Sequence, residues 1–159
     1  MILVTVGTST FPFARMNALV GRLSEHRKRH EPIVFQYGVL VPQYYYPPIE
    51  LFPFMPQEGL LAFMKKARVV ICHGGPATIY QSLSFGNIPW VLPRQQKFGE
   101  HLTDHQVEFS VFMQRRRLIR IVSDDTPLGT ITRGSTKTPP LRHQNTKLIS
   151  FLDSIVQTL

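Results

Sequence analysis

The chain has 159 residues, 43% of them apolar, which is enough for one domain with a core and too little for two. Lys and Arg number 18 against 10 acidic residues, and the net charge of +8 favours an anionic partner: a phosphate-bearing ligand, a nucleic acid or an acidic membrane surface. The single cysteine, Cys72, excludes an internal disulfide and a cysteine-rich metal site, and favours the reducing cytoplasm.

The N-terminal segment predicts a strand, a loop and a helix. Residues 2–6 are a short apolar run closed by Gly7, which is typical of a buried parallel strand and too short for a signal peptide or a membrane span. The loop of Gly7, Thr8 and Ser9 then leads into an amphipathic helix. Its apolar side chains recur at helical spacing, at Phe13, Met16, Leu19, Val20 and Leu23.

Two further strands and a helix are predicted next. Residues 33–37 form one strand, and residues 51–55 form another that Pro53 interrupts. The aromatic and proline-rich stretch 44–48 predicts an ordered loop, because proline continues neither a helix nor a central strand. Residues 57–66 predict a helix.

The same alternation continues to residue 122. In chain order it predicts a strand at 69–72, a tight turn at 73–76, a helix at 77–85, a strand at 88–92, a polar loop at 93–100, a helix at 101–116 and a strand at 118–122. Alternating strands and helices predict an α/β, Rossmann-like, doubly wound parallel sheet, whose ligands lie at the carboxyl ends of the strands.

The C-terminal part has a different composition. Residues 123–144 are rich in Thr, Ser, Gly, Pro and charge and predict a flexible connector, whereas residues 145–159 predict a C-terminal amphipathic helix. We therefore expect one α/β domain at 1–122, the connector, and a helix that docks on a partner or on its own sheet.

The turn between the strand at 69–72 and the next helix is the most informative segment. Gly74 and Gly75 let backbone N–H groups approach an anion closely, and the helix dipole favours a diphosphate there. The alternative is tight packing of helix on strand. Likewise, His73 is either part of this site or an ordinary histidine at a strand end.

Five motifs, taken together, resemble a known family. They are Phe54-Met55-Pro56-Gln57, His73-Gly74-Gly75-Pro76-Ala77-Thr78, Gly86-Asn87-Ile88-Pro89, Pro93 and Asp104-His105-Gln106. Their order and spacing resemble the donor-binding half of GT-B glycosyltransferases, within these the family 28 C-terminal domain. The resemblance extends from residue 2 to about 117. It is greatest to the small subunits of two-subunit enzymes, the dolichol-linked N-acetylglucosaminyltransferase small subunit and its bacterial exopolysaccharide counterparts.

The resemblance implies a donor site for a nucleotide-sugar. The loop with Met55 and Pro56 would lie against the base, the segment His73 to Thr78 would hold the diphosphate, and Asp104, His105 and Gln106 would lie near the sugar. A glutamate that binds both ribose hydroxyls in many GT-B enzymes is replaced here by Gln81, which has one accepting oxygen. The full expected donor set is Gly7, Thr8, Ser9, Met55, Pro56, His73, Gly74, Gly75, Pro76, Ala77, Thr78, Gln81, Arg94, Asp104, His105 and Gln106.

The resemblance also implies the activity and the partners. We expect inverting transfer of a sugar from a nucleotide-sugar, with UDP as the usual nucleotide, to a lipid-linked acceptor. A membrane-bound partner subunit would supply the acceptor half of the cleft and attach this cytoplasmic chain peripherally to the membrane. His73 would stabilise the leaving diphosphate, and Glu100 or His101 is the candidate base.

Other interpretations stay open. His101 and His105, one turn apart on the predicted helix, can bind a metal in principle, although GT-B chemistry predicts no metal and no cofactor. The basic runs 26–30 and 115–117, the latter with Arg120, are either solvated helix ends or face anionic lipid. Nucleic acid is not expected, because the aromatic residues lie mostly in apolar runs and the tyrosines at 44–46 are not interleaved with Lys or Arg. The functional alternatives are a non-catalytic scaffold or activator subunit and a nucleotide-binding regulator whose phosphate loop is at 7–9.

Overall fold

The computed structural model describes residues 1–26, 31–43, 49–123 and 125–137. Its centre is a six-stranded sheet with every pair of neighbours parallel, in the order β3-β2-β1-β4-β5-β6. The strands are β1 (Ile2–Thr5), β2 (Ile33–Gln36), β3 (Ile49–Phe52), β4 (Val69–Cys72), β5 (Trp90–Val91) and β6 (Arg120–Ile121).

Helices connect the strands and cover both faces of the sheet. They are α1 (Ala14–His26), α2 (Gln57–Lys66), α3 (Pro76–Ser84), α4 (His105–Arg115) and α5 (Leu128–Arg133), with a short 3-10 turn at Gln96–Phe98. This arrangement confirms the predicted α/β, doubly wound, parallel fold. No helix among the described residues is both long enough and apolar enough to cross a bilayer.

The core follows from the alternation of side chains along β1. Ile2 and Val4 face one side of the sheet, where they pack with α1 and with Ile131 of α5. Leu3 faces the other side, where it packs with Met64 of α2. Every apolar side chain predicted for the inner face of α1, from Phe13 to Leu23, is buried.

β3 begins earlier than the sequence predicts and ends before Pro53. Proline has no N–H to donate to a ladder, so the strand stops at Phe52. The carbonyl of Pro53 instead accepts hydrogen bonds from the Gly38 N–H at 2.8 Å and from the Gln36 side chain at 3.0 Å.

The helix predicted at 101–116 begins four residues later, at His105. Gly99 has a φ of 65°, and the Nδ1 atom of His101 accepts the N–H of Thr103 at 3.3 Å, so the chain turns locally before α4. The carboxylate of Asp104 accepts the N–H of Gln96 at 2.8 Å. His101 is therefore not on the helix, and the helical His101–His105 pair that was the alternative interpretation as a metal site does not form.

The structure also differs from the flexible connector predicted at 123–144. Residues 125–137 include α5, whose Ile131 lies in the main core, and Thr136 is buried with its N–H bonded to the Arg68 carbonyl at 2.9 Å. The loop at 44–48, the basic residues 27–30, Asp124, the connector from 138 and the terminal helix at 145–159 lie outside the described residues.

The strand order determines where a ligand can bind. The chain adds strands to one side from β1 to β3 and then returns to place β4 on the other side of β1. In parallel sheets of this kind, ligands occupy the crevice at the carboxyl ends of the two strands where the order reverses. Here those ends carry the loop at Gly7 and the turn at His73.

Candidate functional site

A cavity of about 350 Å³ opens at this point of the sheet. Loops after β1, β3 and β4, the end of β2 and the first turns of α2 and α3 form its wall. The lining residues are Gly7, Thr8, Gln36, Phe54, Met55, Gln57, Leu60, His73, Gly75, Pro76, Ala77, Thr78 and Gln81. No lining residue is an Asp, Glu, Lys or Arg, so the wall carries no carboxylate, ammonium or guanidinium group of its own.

The imidazole of His73 lies between two glycines. A Cβ on Gly7 would lie 2.5 Å from Cε1 of the ring, and a Cβ on Gly75 would overlap Nε2 and lie 2.9 Å from Cδ2. Gly7 also has a φ of 75°, in the left-handed region that favours glycine. Both glycines are therefore needed to seat the His73 ring.

His73 is neutral at physiological pH. Burial of the ring, together with the nearby charge of Arg94, lowers the pKa of His73 to about 4. Its Nδ1 atom is buried and has no hydrogen-bond partner among the described residues. A neutral imidazole supplies one N–H donor and one acceptor but no positive charge.

The N-terminus of α3 points at the cavity. Gly75 is the N-cap and Pro76, which has no N–H, occupies the first helical position. No side chain of the described residues caps this helix, so the N–H groups of Ala77 and Thr78 are among its donors without an intrahelical partner. Unsatisfied N–H groups and the positive end of the helix dipole attract anions.

Gln36 joins the loops on one side of the cavity and was not predicted as a site residue. Its amide N–H groups donate to the carbonyls of Gly7 at 2.9 Å and Pro53 at 3.0 Å, and its oxygen accepts the Gly7 N–H at 3.1 Å and the Thr5 hydroxyl at 2.6 Å. The residue is buried at the end of an apolar strand. A polar residue in that position is the signal that could have identified it.

Gly74 and Gln106 meet outside the cavity. The Gly74 N–H donates to Oε1 of Gln106 at 3.0 Å, and the same oxygen accepts the Arg94 N–H at 3.2 Å. A Cβ on Gly74 would lie 2.9 Å from the Cβ of Gln106 and 3.0 Å from Oγ of Ser110 on α4. Of the two glycines in the turn, Gly74 therefore allows close helix packing and its amide already has a partner.

Arg94 is fully buried and bonds to backbone carbonyls. Its Nη atoms donate to Phe11 at 2.9 Å, Glu100 at 3.1 Å and Val6 at 3.1 Å, and its guanidinium lies 4.5 Å from the centre of the Phe13 ring. Burial lowers its pKa to about 10, so the side chain stays charged at neutral pH. Arg94 lies outside the cavity lining and ties the loop after β1 to the loop after β5.

Glu100 is paired with Arg15. The carboxylate accepts two bonds from that guanidinium, at 2.9 and 2.5 Å, and a third from the Gln95 N–H at 3.1 Å. The residue is only 2% exposed. A base needs a free oxygen that faces the substrate, so this arrangement disagrees with the predicted role of Glu100 as the base.

The remaining predicted residues lie outside the cavity lining. His105 is exposed at the start of α4, Ser9 accepts the Phe11 N–H at 3.2 Å, and His101 lies 6.2 Å from the Phe11 ring. Pro56 is the N-cap of α2. The described ranges contain no group of three His, Cys, Asp or Glu residues that could hold a metal ion.

The cavity thus brings together nine of the sixteen residues of the predicted donor set. Those inside the lining are Gly7, Thr8, Met55, His73, Gly75, Pro76, Ala77, Thr78 and Gln81. Those outside it are Ser9, Pro56, Gly74, Arg94, Asp104, His105 and Gln106, together with the candidate bases Glu100 and His101. The lining residues that were not predicted are Gln36, Phe54, Gln57 and Leu60.

Comparison with known proteins identifies the family. The profile of the Glycosyltransferase family 28 C-terminal domain matches residues 1–116, which include the whole cavity. The chain belongs to this family. None of the curated proteins matches it in sequence.

Solved structures support the fold of this glycosyltransferase family 28 C-terminal domain. The glycotransferase of kitacinnamycin is 20% identical with a TM-score of 0.59, over 99% of this chain and 39% of that one. MurG of Acinetobacter baumannii is 16% identical with a TM-score of 0.57, over 98% of this chain and 40% of that one. The family 28 domain described here spans about two-fifths of the length of both.

Proposed function

We propose that the cavity binds a UDP-sugar and that the chain is the donor-binding part of a glycosyltransferase. The observation that carries this proposal is the open N-terminus of α3, whose Ala77 and Thr78 line a cavity without a single carboxylate. A diphosphate bound there would accept backbone N–H groups and lie at the positive end of the helix dipole. Family membership supports the same assignment.

The rest of the wall suits the nucleoside. Phe54, Met55 and Leu60 provide an apolar surface beside the amide of Gln57, which is the mixture that a planar, polar-edged base requires. Gln81 lies on α3 and lines the same cavity, and it would bind the ribose with its one accepting oxygen.

Catalysis in this proposal is electrostatic. When the glycosidic bond of the donor breaks, negative charge develops on the departing UDP, and the Ala77 and Thr78 amides would stabilise it. Neutral His73 would add a hydrogen bond to the diphosphate or the sugar. We propose that transfer proceeds with inversion at the anomeric carbon and without a bound metal ion, because α3 supplies the stabilisation that a cation would give.

The acceptor side is proposed to come from a partner subunit. Large apolar side chains are exposed in the loops that follow β2, β3 and β5, with Phe98 at 50% and Leu102 at 70% exposure. Exposed apolar side chains around a binding cavity favour contact with another protein surface. We propose that this surface is a membrane-bound subunit that carries the lipid-linked acceptor and holds the chain at the membrane.

A thermal-shift panel with UDP-, GDP- and dTDP-sugars tests donor binding. A ligand that binds only the folded chain raises its melting temperature, so UDP-sugars should give the largest shift. Gly21→Asp is a control variant that should give the same shifts as the wild type. A side chain at this position meets nothing within 4 Å, and the residue lies on α1, away from the cavity. Absence of a shift with every nucleotide, in both proteins, would contradict the proposal.

A further inference from the structure

Four arginines form an exposed basic corner at the end of α4. Arg115, Arg116, Arg117 and Arg120 all expose their side chains, and among the described residues no ion pair is formed by Arg115, Arg117 or Arg120. We call these four residues the arginine corner. Because α4 starts at the carboxyl end of the sheet and runs back, the corner lies at the amino end of β6, away from the cavity.

Arg117 occupies a backbone position that favours glycine. Its φ is 59°, and no other non-glycine residue in the described ranges has a positive φ. The Leu118 N–H bonds to the Met113 carbonyl at 3.1 Å, and the Arg117 N–H bonds to the Gln114 carbonyl at 2.8 Å. These two hydrogen bonds end α4 in the pattern that usually has glycine at the left-handed position. The chain thus carries a strained arginine where glycine would be more stable.

Structural roles account for only part of the corner. Cations at a helix C-terminus interact favourably with the dipole, which explains Arg115 and Arg116. Arg120 lies over the Trp90 ring at 5.4 Å and its charge helps to protect the edge strand β6. Neither role needs a charged side chain at Arg117, and together they do not need four arginines within six residues.

We propose that the arginine corner binds the anionic headgroups of a phospholipid membrane. Each exposed arginine near an acidic bilayer increases the electrostatic attraction of the chain to it, and clusters of basic residues are typical of segments that bind anionic lipids. Val111, exposed to 39% and one turn before Arg115 on α4, adds an apolar side chain at the same flank. This contact is independent of the sugar-nucleotide site and leaves the cavity at the far end of the sheet open.

A lipid surface fits better than a nucleic acid. Binding of single-stranded nucleic acid relies on open aromatic faces that stack on bases. At this corner Trp90 is buried, and the Phe112 ring carries the guanidinium of Arg116 at 3.5 Å. The exposed guanidinium groups of Arg115, Arg117 and Arg120 can reach headgroups, whereas the Trp90 and Phe112 rings do not offer open faces to bases.

Vesicle sedimentation with the full chain tests the proposal. The chain should bind vesicles of phosphatidylcholine with about 30% phosphatidylserine and should not bind phosphatidylcholine alone. Arg117→Gly should weaken this binding about fivefold, because one charge is lost, while the melting temperature stays equal or rises. The triple variant Arg115→Gln, Arg117→Gly, Arg120→Gln should weaken it about a hundredfold, and about 1 M salt should abolish it.

Lys97→Gln is the matched control, since it removes one exposed charge at the cavity end of the sheet and should leave vesicle binding unchanged. Equal binding of wild type to neutral and anionic vesicles would overturn the proposal. So would a folded triple variant that binds as wild type does. A chain that ignores vesicles but binds a fluorescent oligonucleotide through the same arginines would assign the corner to nucleic acid and overturn it as well.

Discussion

The His73 ring fills the space that a side chain on Gly75 would need. Gly75 itself has an ordinary extended backbone, with φ of −71° and ψ of 127°, so its lack of a side chain is explained by the ring and not by backbone strain. The two residues therefore form one unit at the mouth of the cavity, and a change at either one alters the other.

Gly75→Ala should destabilise the chain through His73. The new methyl group overlaps Nε2 of the ring, and overpacking of this kind costs about 1–3 kcal/mol. In a His73→Ala background the space is free, and the same Gly75→Ala change should cost less than about 0.5 kcal/mol. Urea unfolding of the wild type, both single variants and the double variant measures the difference. An equal loss in both backgrounds would show that the ring does not occupy this space in solution.

The stability of the chain should fall between about pH 6.5 and pH 4 because of His73. Its pKa of about 4 in the folded chain lies below the ordinary value of 6.5, so the unfolded chain takes up the proton first. The stabilisation is therefore complete above the ordinary value and declines toward pH 4, by up to about 3 kcal/mol. The hydrogen bond from Arg68 lowers the pKa of Glu31 below 4.5, so the stability that Glu31 contributes is lost as the pH falls below about 4.5.

Urea unfolding across this pH range should show a slope in the wild type that His73→Gln removes. His105→Gln is the control, because the same substitution there removes an exposed imidazole. A slope that survives in His73→Gln would mean that another group is responsible.

Gln36→Leu should destabilise the chain by about 2–4 kcal/mol, since it removes the four hydrogen bonds that the Gln36 amide makes with the Thr5 hydroxyl, the Gly7 N–H and the carbonyls of Gly7 and Pro53. It should also weaken ligand binding, because Gly7 lines the cavity. Gln57→Leu makes the same change at an exposed lining residue, and there we expect a stability change within about 0.5 kcal/mol. Chemical denaturation compares the two variants, and similar losses of stability would argue against a structural role for the Gln36 hydrogen bonds.

Glu100→Gln should act on stability and not as the loss of a base. Breaking the buried pair with Arg15 leaves an uncompensated charge and should cost about 3 kcal/mol or more. Arg15→Met should give a similar loss, and the double variant should lose less than the sum of the two. If Glu100→Gln keeps its melting temperature but abolishes sugar transfer by the chain with its partner, Glu100 is the base after all.

The fold was predictable from the sequence where local pattern and packing agree. The bounds of α2 match the prediction, since the helix starts after Pro56 and its apolar spacing ends where the chain turns to β4. α5 was not predicted, because its six residues contain only Leu128 and Ile131 as large apolar side chains. What stabilises α5 is the sheet face that Ile131 meets, and no local pattern encodes that contact.

The site was predictable as a place but not residue by residue. Two glycines in one turn look alike in sequence, yet Gly74 packs on α4 while Gly75 seats His73. Arg94 and Gln106 have the polar side chains of a binding loop, but tertiary contacts direct them to backbone groups. Such contacts join residues more than ten positions apart. Residue spacing alone therefore cannot show whether a polar side chain binds a ligand or stabilises a loop.

The central claim, that the N-terminus of α3 holds a nucleotide diphosphate, is tested most directly at Ala77. This residue is exposed, lines the cavity and lies in the first turn of the helix. A carboxylate there interacts favourably with the helix dipole, so Ala77→Asp should be as stable as the wild type or more so, by about 0.3–1 kcal/mol. The same carboxylate should repel a bound diphosphate, whereas Ala77→Asn has nearly the same shape and no charge.

Calorimetric titration of UDP into the three proteins is the decisive measurement. We predict binding to the wild type and to Ala77→Asn, and at least about tenfold weaker binding to a fully folded Ala77→Asp. Equal affinity of Ala77→Asp and Ala77→Asn for UDP would contradict the claim and remove the diphosphate from this helix.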